Sequence, residues 1–241
     1  MIAPNAFIPQ LEELGLMVEV GDWVLKAACL QNMAWQEQGL PRIRVAVNVS
    51  AQQFYRGDIA GSVERVLRET GLRPEFLELE LTESLTLDDS ELTIKIMQDL
   101  KGLGVSLSLD DFGTGWSSLS YLRRFPLDRI KIDRSFMRDI ASDPAAEAVV
   151  RSILNLGSNL GLTCVAEGVE THHQLEYLQK HLCGEIQGFL FSAAVPADEF
   201  GSMLRTGKLR LADVPAWSRD SFAGEEASTN TEPRQISVRV H

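Results

Sequence analysis

Only three cysteines occur in 241 residues, Cys29, Cys164 and Cys183, and no two of them have the short spacing of a zinc-ligand pair. Cys29 falls in a helical pattern, Cys164 in a strand pattern and Cys183 near a helix end. An odd count at such places reads as buried thiols of a reducing compartment. Basic residues are also short: 23 Lys and Arg against 34 Asp and Glu leave a net charge of -11. That balance argues against wrapping DNA or lying on an anionic membrane, although a local site with bound metals still accommodates a small phosphate ligand. No apolar run approaches the roughly 18 residues that span a bilayer. Met1 to Gln10 lacks the basic start and apolar centre of a signal peptide, so the sequence reads as cytoplasmic with no membrane segment. With 44% apolar and 24% charged residues, it has the composition of a soluble globular protein.

What is present centres on Ser108 to Ser118, Ser-Leu-Asp-Asp-Phe-Gly-Thr-Gly-Trp-Ser-Ser. Val105, Leu107 and Leu109 alternate with Ser106, Ser108 and Asp110, the period of a strand with two unlike faces. Asp110 ends the polar face, and Gly113 and Gly115 supply a flexible loop before a short helix expected near Ser118 to Arg124. Adjacent carboxylates repel unless a cation or proton lies between them, so Asp110 and Asp111 at a strand tip point to a metal. Taken alone, the same residues also fit a solvated turn.

The flanking sequence repeats this arrangement. Strands are predicted at Ile43 to Ser50, Phe76 to Ser84, Arg129 to Asp133, Leu162 to Ala166 and Glu185 to Phe191, six with the strand through Asp110. Helices alternate with them: Phe7 to Leu14, a longer one after Gly21, Asp58 to Thr70, Ser90 to Leu103, one opened by Asp143-Pro144, one capped by Thr171 and Gln174, and Ala197 to Arg205. In the second helix Trp23, Ala27, Leu30 and Ala34 form the expected core stripe. The polar residues at the strand ends are Asn48, Glu80 with Glu83, Asp110 with Asp111, Lys131 with Asp133, Glu167 with Glu170, and Gln187. Parallel βα units gather functional groups at the carboxyl ends of strands. A polar second face favours a curved sheet around a lumen over an open doubly wound sheet, whose strands read as continuous apolar runs. The predicted class is therefore α/β, a TIM-type barrel with about six βα units visible over residues 1-207, followed by a polar, flexible tail over 208-241.

Asn48, Glu80, Asp110, Asp111 and Glu167 are hard oxygen donors without a His or Cys cluster, a set suited to Mg²⁺ or Mn²⁺. Carboxylate-held metal pairs suit phosphodiester hydrolysis, with Lys131 placed to add positive charge at the phosphate. These residues lie in segments that resemble the EAL-domain phosphodiesterases, which linearise the bacterial second messenger cyclic-di-GMP. The resemblance covers roughly Pro4 to Leu204 and rests on Phe7-Ile8-Pro9, Asn48-Val49-Ser50, Glu80-Leu81-Thr82-Glu83, Asp110-Asp111-Phe112-Gly113-Thr114-Gly115, Lys131-Ile132-Asp133, Ala166-Glu167-Gly168-Val169-Glu170 and Gln187-Gly188. It implies a (β/α)8-like barrel in which Asn48, Glu80, Asp110 and Asp111 hold a two-metal site. It further implies that Glu167 binds metal or activates water, that Lys131 sits by metals and phosphate, and that Gln187 and Glu170 support the site. Glu83 would anchor the loop from Asp111 to Ser118, which is similar to the family's dimer-linked switch. The implied partners are cyclic-di-GMP, a second copy in a homodimer through that loop, and an upstream sensor or GGDEF-type domain.

Two departures from the family pattern stand out. Trp116 replaces the usual Tyr. The sequence begins six residues before Phe7, so the strand bearing the namesake Glu-Ala-Leu, with a metal ligand, a neighbouring Arg and two of eight strands, is not within it. The expectation is a fragment, a misassigned start, or a chain that takes its missing edge from a partner or from its own tail. A catalytically impaired cyclic-di-GMP receptor or regulatory module is the alternative function. Plainer readings stand beside each residue: Asn48 as a loop cap, Lys131 and Asp133 as a structural ion pair, His172 and His173 as solvated helix-start residues without chemistry.

Overall fold

The structure is a computed structural model that describes residues 4–83, 85, 91–114, 122–140, 143–206 and 237–240. Its strands β1 (Arg44–Val49), β2 (Leu77–Thr82), β3 (Ser106–Phe112), β4 (Arg129–Ile132), β5 (Thr163–Ala166), β6 (Glu185–Ile186) and β7 (Ser237–Val240) form one sheet. The spatial order is β6-β5-β4-β3-β2-β1-β7, and every pairing is parallel. Helices α1 (Pro4–Glu13), α2 (Met17–Glu37), α3 (Ala51–Arg56), α4 (Ile59–Thr70) and α5 (Glu91–Gly102) lie in the first half of the chain. Helices α6 (Arg134–Asp139), α7 (Pro144–Leu160), α8 (His172–Lys180) and α9 (Ala197–Thr206) lie in the second. The sheet is a curled half-barrel, in keeping with the expected barrel-type architecture.

Strand alternation explains both faces. Val45, Val47 and Val49, Leu77, Leu79 and Leu81, and Leu107 and Leu109 are buried in the main core with Leu25, Val63, Met97 and Leu100 from the helices. The opposite face carries Ala46, Glu78, Glu80, Ser108, Asp110, Arg129 and Lys131, also buried. A charged yet buried face is the lumen that the alternating pattern predicts.

Several elements differ from the sequence reading. The expected core stripe through Trp23 and Leu30 is corrected: Trp23 is 70% exposed, and α2 instead buries Gly21, Leu25, Ala28, Cys29, Asn32 and Trp35. Asn32 disguises that stripe. Its amide donates to the carbonyls of Ile43 and Phe76, tying α2 to the backbone just before β1 and β2 through a polar residue that a hydrophobic pattern skips. Two short helices went unpredicted. Ser50 and Gln53 form a capping box that starts α3, and Asp133 caps α6 by accepting from the Ser135 amide. The last core strand is two residues, not the seven expected from Glu185 to Phe191. β7 falls inside the stretch read as a flexible tail and pairs with β1, with Arg44 opposite Ser237 and Val47 opposite Val240. Trp116, residues 118–121 of the expected short helix, and positions 207–236 lie outside the described residues.

All three cysteines are buried and unpaired. Desolvation pushes the Cys29 and Cys183 thiols up to about 12 and that of Cys164 up to about 11. Thiolate is the reactive form, so the folded protein is expected to resist iodoacetamide at pH 7.5, with all three sites modified once urea unfolds it. Mass spectrometry of the alkylated protein checks this; rapid labelling of any cysteine in the folded state would contradict the burial.

Candidate metal and phosphodiester site

The site is assembled by strand ends on the lumen face. Glu80 near the end of β2, Asp110 on β3 and Glu167 just after β5 surround the ammonium of Lys131 on β4. Its Nζ lies 2.7 Å from Glu80 Oε1, 3.0 Å from Asp110 Oδ1 and 2.6 Å from Glu167 Oε1. The lysine side chain is 2% exposed, and those of Glu80 and Asp110 are similarly buried. Three segments of the sheet thus converge on one buried cation carried by a fourth.

Asp111 reaches the same place by a different route. Successive strand residues normally point to opposite faces. Between β3 and β4 the register shifts: Leu109 pairs with Ile130 but Phe112 with Ile132, so three steps on β3 match two on β4. This irregularity and the left-handed backbone of Asp111, with φ of 55°, turn the second carboxylate back toward the first. Ligand oxygens of Asp110, Asp111 and Glu167 lie within 4.8 Å of one another. A non-glycine residue held at positive φ is costly, and such strain is characteristic of functional sites.

The loop after Asp111 is anchored. Gly113, at φ 98°, donates its amide to Glu83 Oε2 at 2.9 Å, and a side chain there would strike the ring of Phe136. Thr114 closes the turn by bonding the carbonyl of Asp111 through its hydroxyl. Residues 115–121 of this loop lie outside those described.

The remaining predicted residues take other places. Asn48 is exposed and stands opposite Glu80 in the β1–β2 register. Asp133 is not among the ion pairs of Lys131 in the described residues; it caps α6. Burial raises its carboxyl, but the hydrogen bonds from Ser135 and Arg134 outweigh this and hold it below the ordinary carboxylate range. Gln187 donates its amide to the Ala166 carbonyl and accepts from Val169 through its own carbonyl. Gly188, beside it, leaves no room for a Cβ against the Val169 backbone, which explains the glycine. Glu170 is exposed, its amide bonded to the Gln174 side chain.

Sequence reasoning passed over a second charged layer beneath the site. Glu78 Oε2 lies 3.0 Å from Arg129 Nη1 and 3.6 Å from Arg44 Nη1, while Arg129 Nη2 lies 3.3 Å from Glu185 Oε1. Burial pushes the Glu78 carboxyl up against the pull of both arginines. Burial also lowers Arg44, helped by Arg129. The signal was available, since each of these residues sits on the lumen face of a strand that carries a candidate site residue.

The donor set fits divalent cations. Glu80, Asp110, Asp111 and Glu167 offer four carboxylates against the single positive charge of Lys131, with no nitrogen or sulfur ligand among them.

The comparisons with known proteins agree with this geometry. The family model of the EAL domain matches residues 1–194, and the chain belongs to that family. MucR of Pseudomonas aeruginosa, a bifunctional diguanylate cyclase/cyclic di-GMP phosphodiesterase, is 43% identical over 199 residues, which cover 83% of this chain and 29% of MucR. The cyclic di-GMP phosphodiesterase PdeR of Escherichia coli is 41% identical over 200 residues, covering 83% of this chain and 30% of PdeR. The chain therefore spans less than a third of the length of these curated relatives. Among solved structures, the MucR phosphodiesterase in complex with c-di-GMP superposes with a TM-score of 0.80 at 43% identity, covering 83% of this chain and 81% of that one. The EAL domain of Mycobacterium smegmatis DcpA gives a TM-score of 0.75 at 38% identity, covering 80% and 86%.

The Glu83 to Gly113 bond has a measurable effect. In Glu83→Ala the Gly113 amide loses its buried acceptor, a local cost of about 1 to 3 kcal/mol. Hydrogen exchange at Gly113 is expected to accelerate while amides of β1 and β2 keep their protection; unchanged exchange at Gly113 would show that the carboxylate does not anchor the loop.

Proposed function

We propose that this domain hydrolyses cyclic-di-GMP to linear pGpG using Mg²⁺ or Mn²⁺. The observation that carries the reading is the buried convergence of Glu80, Asp110 and Glu167 on Lys131, with Asp111 turned back onto the same cluster. Family membership and the likeness to a phosphodiesterase bound to c-di-GMP support it.

In this reading Asn48, Glu80, Asp110, Asp111 and Glu167 hold the metals. Bound there, a divalent pair supplies positive charge to the phosphodiester and lowers the pKa of a water. The protein's own residues do the rest. Glu167, at the lumen mouth, holds the attacking water and takes its proton. Lys131 offers its ammonium to the phosphate oxygens as negative charge builds on them. The water oxygen forms a bond to phosphorus as the bond to the 3′ oxygen breaks, and the leaving oxygen takes up a proton. Glu83 holds the Asp111–Gly113 turn in place, and Gln187, Glu170 and Asp133 support the strand ends around the cavity.

The same reading assigns the loop beyond Asp111 to a homodimer contact and takes a GGDEF-type or sensor domain as a partner, as the double name of MucR suggests. None of the described helices is long and apolar enough to cross a membrane. A cytoplasmic location follows from the substrate class.

Glu167→Gln is expected to lower cyclic-di-GMP turnover by about two to four orders of magnitude, the usual worth of a general base, with the melting temperature little changed. Chromatography of the nucleotides reads this, and undiminished turnover would reject the role. Asp110→Asn is expected to weaken Mn²⁺ binding in a calorimetric titration, and an unchanged isotherm would remove Asp110 from the ligand set. Cyclic-di-GMP binding without turnover in the parent would replace the enzyme with a receptor.

A further inference from the structure

The charged layer below the site does a task that hydrogen bonding along the sheet leaves undone. Ladder bonds fix neighbouring strands but leave the curl of an open sheet free to vary. Next-neighbour strands lie roughly 10 Å apart in a flat sheet, and cross-lumen contacts between them tighten with curl. Glu78 on β2 pairs with Arg129 on β4, skipping β3. Arg129 pairs in turn with Glu185 on β6, skipping β5. Arg44, beside Glu78, brings in β1. The chain of charges Arg44–Glu78–Arg129–Glu185 therefore ties one side of the half-barrel to the other across its concave face.

This layer lies one side-chain step below the site on the same strands. Glu78 precedes Glu80 by two residues on β2 and Arg129 precedes Lys131 by two on β4, so each pair shares a lumen face. Ser108 stands in the same relation to Asp110. The arginine side chains are 9% exposed and that of Glu78 is 2% exposed, so solvent screens these charges little. Removing the Glu78 charge would leave Arg44 and Arg129 as facing buried cations, which repel and flatten the sheet at the level just under the carboxylates.

We infer that Glu78 is a positioning residue: through Arg44, Arg129 and Glu185 it sets the curl of the half-barrel and thereby the spacing of the carboxylates at its mouth. The consequence for metal binding rests on the phosphodiesterase reading; the consequence for curl does not. Spin labels at Ala51→Cys on α3 and His173→Cys on α8 report the width of the mouth between β1 and β5, because both positions are exposed and directly follow the lumen. In that labelled background Glu78→Gln is expected to lengthen and broaden the pulsed-EPR distance distribution. In the unlabelled protein it is expected to weaken Mn²⁺ binding about tenfold or more, the usual effect of disturbing residues behind metal ligands. Glu78→Asp, which retains the charge, is expected to restore most of both.

A lower melting temperature with parental distance and parental Mn²⁺ affinity would make Glu78 a stabilising residue only and overturn the inference. If Glu78→Gln shows no cooperative melt, Glu185→Gln, which cuts the partly exposed end of the chain of charges, carries the same comparison. Absence of Mn²⁺ binding in the parent would overturn the phosphodiesterase reading, and the distance measurement alone would then decide this inference.

Discussion

A lysine ammonium inside a protein needs compensation, and the lumen of this half-barrel is built around the compensation of Lys131. Three carboxylates from three different strands approach its Nζ within 3.0 Å. The arrangement fixes two things at once. It makes burial of the cation tolerable, and it holds mutually repelling acids close enough to share a further cation. Without the lysine, Glu80, Asp110 and Glu167 would repel one another; without the acids, the ammonium would be an uncompensated charge in the interior. The site is thus prepared by opposed charges, three carboxylates against one ammonium, with the surplus on the negative side.

The second constraint is local. Two adjacent aspartates on a regular strand would serve opposite faces, one in the lumen and one among the helices. The register shift at β3 and the left-handed conformation of Asp111 bring both to one side. The strain is held by bonds immediately around it: the Asp111 amide to Asp110 Oδ1, the Thr114 hydroxyl to the Asp111 carbonyl, and the Gly113 amide to Glu83. Because the turn is pinned by its own segment and by Glu83 beyond the end of β2, the position of Asp111 is coupled to the shape of the loop that follows it.

Much of this was legible in the sequence, and the reasons are specific. Alternation in Ile43 to Ser50 and Leu77 to Leu81 placed Asn48 and Glu80 at strand ends, since a period of two is sharp over six residues. Lys131 and Asp110 followed by the same rule. The rule fails where geometry departs from it. It gives no reason for Asp111 to join Asp110, because a bulge leaves no mark on a pattern of alternating types. It misassigned the buried face of α2, because a buried asparagine interrupts the true stripe while Trp23 and Leu30 decorate the exposed one. It does not mark Glu78, since a charge paired across two strands looks the same in one dimension as a charge in water.

The two ends of the sheet show how an open, charged half-barrel is kept from offering edges. β6 is only two residues long and presents little unpaired backbone. On the other side β7 lies against β1 for four residues, and a parallel partner can reach that edge only by a long crossover, which the stretch between α9 and β7 is long enough to make. The pairing described stops at Val47, one residue short of Asn48, which remains exposed at the mouth. On the other side of the cavity the β5–β6 pairing lies directly below Glu167.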